Sequence, residues 1–257
     1  MSSIRNRTSL YFDQLAVLVS TDFKLKYNST ALGFLWSVLA PTAQAAVYFL
    51  VFSNVARFDI PDYFLYMISG MFFWHFFTSC LQISRKCFVT HGALIKKTNF
   101  NRSLLIVGMT TTEFLHLLLV IPILLLIMLG YSISPGAALL KLLVILPAAF
   151  FFSMGFAYAI ATINLYLRDM ERILSIIIHM WFFASPVLYT PENVRGGFVK
   201  VIVWNPMLYF LEVWRSIFYR PDTEPHHLLT VALLAAGAYC CGKLIYRWGE
   251  PGFAEQM

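Results

Sequence analysis

Leu117-Leu-Leu-Val-Ile-Pro-Ile-Leu-Leu-Leu-Ile-Met-Leu129 runs for thirteen residues without a polar side chain. A membrane-spanning β-barrel would instead alternate lipid-facing with polar lumen-facing positions in segments of about ten residues. The run excludes that architecture. Read outward to Leu104–Leu129, the stretch passes the ~20 apolar residues a helix needs to cross the hydrocarbon core.

Five further stretches read the same way: Ala31–Ser53, Asp62–Ile83, Ala137–Asn164, Ile173–Tyr189 and Leu228–Tyr246. Of the 257 residues, 59% are hydrophobic and 12% charged, against the roughly 25% charged of a soluble domain. A mean hydropathy of +0.70 agrees. A soluble exterior needs polar cover that this chain lacks. The expected class is an all-α integral membrane protein with six transmembrane helices.

The basic residues orient it. With the amino terminus inside, internal segments hold thirteen Lys and Arg and external segments six, so both termini are expected in the cytoplasm. No signal peptide is read in the first 30 residues, which carry Arg5, Arg7, Lys24 and Lys26 but no short apolar core with a cleavage site. Cys80, Cys87, Cys240 and Cys241 have no metal-ligand spacing and read as packing residues.

Three internal segments stand out. Ser9–Tyr27 reads as an amphipathic helix lying in the membrane interface, with Phe12, Leu15, Val19 and Phe23 on its apolar side and Lys24 and Lys26 toward headgroups. Asp22 and Lys26 break the pattern. The loop 84–102 mixes five basic residues with apolar ones. Its Leu94, Ile95, Lys96 and Lys97 suit a short helix docking on a partner protein, although single lysines there could be topology signals alone. Arg168, Asp169, Glu171 and Arg172 crowd a helix junction and suggest a second protein contact. Outside, residues 190–227 hold four prolines and two apolar pieces too short to span, as two external re-entrant half-helices would. The expected organisation is therefore a cytoplasmic segment 1–30, a six-span transmembrane domain 31–247 and a cytoplasmic tail 248–257.

The chain has no GxxxxGK[ST] loop to hold nucleotide phosphates, so ATP and magnesium would belong to a partner; no cofactor, metal or nucleic acid is expected on this chain. Glu113-x-x-His116 is a single motif, whereas helical metal sites of this kind combine two. Glu113 is open to three readings: a structural or gating hydrogen-bond partner, a channel-lining group, or a catalytic one. The spans offer aromatic faces: Trp36, Gln44, Tyr48 and Phe52 on the first, Tyr66, Phe73, Trp74 and Phe77 on the second, His179 and Phe183 on the fifth. Sugar C–H faces lie flat on aromatic rings, so these residues could wall a glycan conduit. Lipid-facing aromatics are the alternative.

Leu25-Lys-Tyr-Asn-Ser-Thr-Ala-Leu-Gly-Phe-Leu-Trp36-Ser-Val-Leu-Ala-Pro41, Ile95–Arg102, Asn164–Glu171, Ser185-Pro-Val-Leu-Tyr189, Asn205-Pro206 and Trp214-Arg215 together resemble type-2 ABC exporter permeases for polysaccharides. Phe100-Asn101-Arg102 departs from the pattern, which has a proline before the arginine. The resemblance implies a homodimer of this chain with two copies of an ABC-type ATPase in the bacterial inner membrane. It also implies ATPase contact through the interfacial helix and the loop 84–102. The implied substrate is a polysaccharide on an undecaprenyl lipid, O antigen foremost, with capsular polysaccharide or teichoic acid as alternatives. An ion-coupled carrier and a membrane-embedded glycan enzyme are the readings from other classes.

The charge pattern makes a topological prediction. Single cysteines placed at Lys97 and near the carboxyl terminus should react with membrane-impermeant thiol reagent only from the cytoplasmic side, and those between 191 and 225 only from outside. An odd number of crossings would overturn the six-span reading.

Overall fold

The computed structural model describes residues 2–27, 33, 35–55, 60–90, 101–167, 169–220 and 225–253. Among these residues the chain is helical and forms no strand. Nine α-helices follow in order: α1 Ser2–Tyr27, α2 Leu35–Val55, α3 Tyr63–Thr90, α4 Arg102–Gly130, α5 Leu142–Tyr166, α6 Met170–Ala184, α7 Phe198–Val203, α8 Pro206–Phe218 and α9 Pro225–Gly249. A 3₁₀ turn, Gly136–Lys141, leads into α5. Five helical segments (α2, α3, α4, α5 with its leading turn, and α9) are long and apolar enough to cross a membrane.

The expected fifth span, Ile173–Tyr189, is built differently. Its helix α6 stops at Ala184 after 15 residues, about 22 Å at 1.5 Å per residue, short of the ~30 Å hydrocarbon core. Ser185 precedes Pro186, whose ring disfavours helical geometry in the residue before it, and Ser185 is extended at φ −101°, ψ 142°. Residues Ser185–Leu188 then run buried through protein as irregular chain. Backbone of that kind survives at membrane depth only when protein satisfies its polar groups.

Here Arg215 does so. Its guanidinium, 5% exposed, donates to Pro186 O at 2.6 Å, Val187 O at 2.6 Å, Tyr66 O at 3.2 Å and Tyr66 Oη at 2.7 Å. It also lies 3.6 Å from the Tyr66 ring centroid. Gly70, on the α3 face below, leaves it room, since a Cβ there would collide with the guanidinium. Tyr66 Oη donates to Tyr189 O and Tyr63 Oη to Leu188 O, each at 2.7 Å.

The helix α3 is central and packs on α2, α4, α5, α6 and α8. Its Phe73 meets Phe210 and Trp214 of α8, and Phe77 meets Phe152 and Phe156 of α5 and Trp181 of α6. The two apolar pieces expected outside are α7 and α8. The start of α8 is set by Asn205, whose side chain accepts from Met207 N at 3.0 Å, and by Pro206 at the first helical position. Nearly every side chain of α8 is buried.

Two boundaries expected from sequence move. The loop expected from Ser84 is helical to Thr90, because Cys87 and Phe88 are buried in a second core with Tyr158, Tyr246 and Phe253. Phe253 is fully buried, so the segment expected as a tail is anchored at least that far.

Helices α5 and α9 make the closest crossing. A Cβ on Gly155 would strike the backbone of Ala238 and Tyr239, and one on Gly242 the backbone of Gly155. Small residues at such crossings let helices approach where lipid supplies no hydrophobic drive between them. Gly242→Leu should therefore destabilise the protein by about 1–3 kcal/mol or more, read as a lower melting temperature and less monodisperse protein in detergent. Unchanged melting would show that the crossing has slack.

Candidate functional site

Helix α1 docks on α4. Leu15 and Leu18 cover Gly108, and the Phe23 ring sits 5.3 Å from that of His116. Beyond them Lys26 Nζ donates to Glu113 Oε1 at 2.8 Å and stands 3.5 Å from His116 Nδ1, while His116 Nδ1 lies 3.3 Å from Glu113 Oε2. Glu113 is 4% exposed. A carboxylate inside an apolar helix needs such a partner, which is why Lys26 sits on the packed side of α1 and breaks its apolar stripe. The sequence carried both halves of this pair as anomalies: a charge on an apolar face and a charge within a span. Phe12 and Lys24 point away from the bundle and Val19 is half-buried, so α1 keeps apolar side chains on its outer face too.

The aromatic set divides. Tyr66, Phe73, Trp74 and Phe77 are each under 10% exposed and packed on both sides by protein. They are corrected here from a wall to core, because α3 runs through the middle of the bundle. The rest lie on α2 and α6, which share an open side. Tyr48 lies tilted 5.7 Å from Phe182 and edges Phe52 at 6.4 Å, and Gln44 Nε2 donates to Tyr48 Oη at 3.2 Å. Trp36, Gln44, His179 and Phe183 are exposed, with Phe183 55% accessible. Leu39, Val47 and Leu50 of α2 and Ile176 and Met180 of α6 are bare as well.

Leu94, Ile95, Lys96, Lys97 and Arg168 lie outside the described residues. Asp169 and Arg172 are exposed. Glu171 reaches the end of α3, 3.7 Å from Arg85 Nη2 and 3.5 Å from Lys86 Nζ, and Arg85 Nη1 donates to its carbonyl at 2.9 Å. Of the described charges at the junction, Glu171 thus ties α6 to α3.

At the opposite end a cleft of about 370 Å³ opens beside Arg215, flanked by Glu192, Glu212 and His227. Glu212 Oε2 stands 3.3 Å from His227 Nδ1. Burial, and then the neighbouring Glu192, hold the Glu212 carboxyl above its usual range. Arg215 itself was visible in the sequence only as part of a motif, since nothing in one sequence says that an arginine is buried.

The sequence profile of the ABC-2 type transporter family matches residues 13–219. The chain is 31% identical over 245 residues to the "O-antigen export system permease protein RfbA" of Klebsiella pneumoniae, spanning 93% of this chain and 95% of that one. A protein of the same name from Myxococcus xanthus is 28% identical over 252 residues, 96% of each chain. The "Polysialic acid transport protein KpsM" of Escherichia coli is 17% identical over 198 residues, 76% of this chain and 77% of that one.

The contact between α1 and α4 is open to a double-mutant cycle. Lys26→Met and Glu113→Gln should each lower the melting temperature and expose α1 to protease. The coupling energy should be about 1 kcal/mol, limited by the half-exposed lysine. Strictly additive effects would remove the ion pair as the link between the two helices.

Proposed function

The chain belongs to the ABC-2 type transporter family, and from that premise we propose that it is the membrane permease of an ATP-driven exporter of lipid-linked polysaccharide, O antigen foremost. The observation that carries the substrate class is the 31% identity over nearly the whole length to an O-antigen export permease. The weaker relation to a polysialic acid transport protein favours capsular polysaccharide as the second reading.

In this proposal the chain crosses the inner membrane six times with both termini cytoplasmic. The fifth of the six crossings is completed by α6 together with the irregular segment Ser185–Tyr189, and α7 and α8 form the external half-helices. The absence of a phosphate-binding loop from the sequence leaves ATP hydrolysis to a separate subunit. That subunit would meet the chain at three places: α1, the loop beyond Thr90, and the junction at Glu171. Each connects to a span. The ion pair Lys26–Glu113 links α1 to α4, and Glu171 with Arg85 links α6 to α3, so a push on either is delivered into the bundle.

The exposed side of α2 and α6 is the reason to propose a second copy of the chain. Two such sides facing each other would shelter the bare leucines and isoleucines at their rim. Between them they would leave a wall of Trp36, Gln44, Tyr48, Phe52, His179 and Phe183. Flat rings with a few hydrogen-bonding groups hold sugars weakly, which suits a polymer that must slide.

Deleting the chain in its own host should abolish surface polysaccharide and leave lipid-linked polymer inside. Complementation with Tyr48→Ala/Phe183→Ala should restore ATPase assembly but only part of the surface polymer. Full surface polymer in the deletion strain would overturn the proposal, and full export by the double variant would move the conduit away from this face.

A further inference from the structure

A cavity of about 270 Å³ lies where the end of α1 and the start of α2 meet α3 and α4. Its polar end is made by Lys26, His75, Glu113 and His116, while Phe76, Val120 and the ring of Trp36 form apolar wall. Export as proposed above shares Trp36 and the Lys26–Glu113 pair with this cavity but assigns the space between them no ligand. The depth of the cavity is informative. Glu113 lies about 25 Å along α4 from Gly130, and His75 about 18 Å along α3 from Tyr63, at 1.5 Å per residue. With those ends external, the polar cluster lies in the inner half of a ~30 Å core, on the side where Trp36 at the start of α2 occupies the position interfacial tryptophans favour.

We propose that this cavity binds the phosphate-bearing headgroup of a lipid from the cytoplasmic leaflet. The inference rests on the orientation given under the proposed function. The donors are of the right kind. An ammonium has three N–H groups, and Lys26 directs one to Glu113 while its side chain remains 42% exposed. The imidazole of His75 brings a nitrogen able to donate. The pairing with Glu113 means that the empty cavity holds no uncompensated charge, so the site is stable before a lipid arrives. A phosphate then adds charge-assisted hydrogen bonds to Lys26. The apolar wall makes the ligand a lipid rather than a free anion: it covers the glycerol or first methylenes that follow a phosphate, where inorganic phosphate would only lose its hydration.

A bound lipid would have a mechanical consequence, because it would touch α1, α2, α3 and α4 at once. It would join the helix proposed to meet the ATPase to the helix that walls the proposed conduit.

The test is native mass spectrometry of the full-length protein, delipidated in detergent and titrated separately with phosphatidylglycerol, undecaprenyl phosphate, diacylglycerol and inorganic phosphate. One phosphate-bearing lipid should bind per chain, and diacylglycerol should not compete. Lys26→Gln should weaken binding about tenfold, the loss of one charge-assisted hydrogen bond. Val120→Phe fills the apolar end while keeping the Lys26–Glu113 pair, and should abolish binding with the lipid-free melting temperature preserved, so the test survives if Lys26→Gln misfolds. Preference for phosphatidylglycerol or for undecaprenyl phosphate would identify the source as bulk membrane or polymer carrier, and either supports the site. Diacylglycerol binding as tightly, inorganic phosphate displacing the lipid, or Val120→Phe binding like the parent protein would overturn it. Binding is read without export or orientation, so its failure is distinguishable from failure of the export proposal.

Discussion

A guanidinium held 5% exposed among apolar helices needs every donor occupied, and Arg215 finds its acceptors in a stretch of chain that could not otherwise lie where it does. The carbonyls of Pro186 and Val187 point at it because residues after Ala184 are no longer helical. Each side solves the other's problem: unpaired carbonyls in an apolar interior are costly, and so is an unpaired cation. The same contact joins α8, α3 and the chain leaving α6. That end of the molecule is therefore organised around one side chain, with Gly70 leaving the space and Tyr66 supplying a ring face and a hydroxyl.

The opposite end is organised by a second polar contact. Lys26 and Glu113 hold α1 against α4, and the core around Cys87, Phe88 and Phe253 ties the end of α3 to the chain following α9. Between these polar anchors the bundle is closed by shape. Rings from α3, α5, α6 and α8 interlock, and α5 and α9 touch backbone to backbone through Gly155 and Gly242. Fixed anchors at both ends and close packing between them hold these helices together as one packed body. Against that body α2 is sparsely held, packing chiefly on α3. Its open face beside α6 is the surface on which the proposal of a second copy rests.

Much of this was legible in the sequence because lipid imposes simple rules. Thirteen apolar residues in a row, the excess of Lys and Arg in alternate loops, and prolines clustered in 190–227 each carry a physical meaning that needs no partner. Several residues singled out from sequence were correctly marked as unusual but given the wrong surroundings. Tyr66, Phe73, Trp74 and Phe77 follow a helical face, yet periodicity on one helix does not reveal which neighbours flank it, and α3 is flanked nearly all round. The fifth span read as continuous because Ser185–Tyr189 is as apolar as a helix would be. The turn out of helix was signalled only by one proline.

The sequence by itself determined that the chain is helical and lives in lipid, where five of its long apolar helices lie, and that it carries no phosphate-binding loop, since these follow from composition, length and local spacing. Only the tertiary structure decided what the charged residues within apolar surroundings are for. Arg215 and Glu113 are separated by many residues from the groups that satisfy them, Pro186 and Val187 in one case and Lys26 in the other. A buried charge is tolerated only by a partner at hydrogen-bonding distance, and distance between remote residues is a property of the fold.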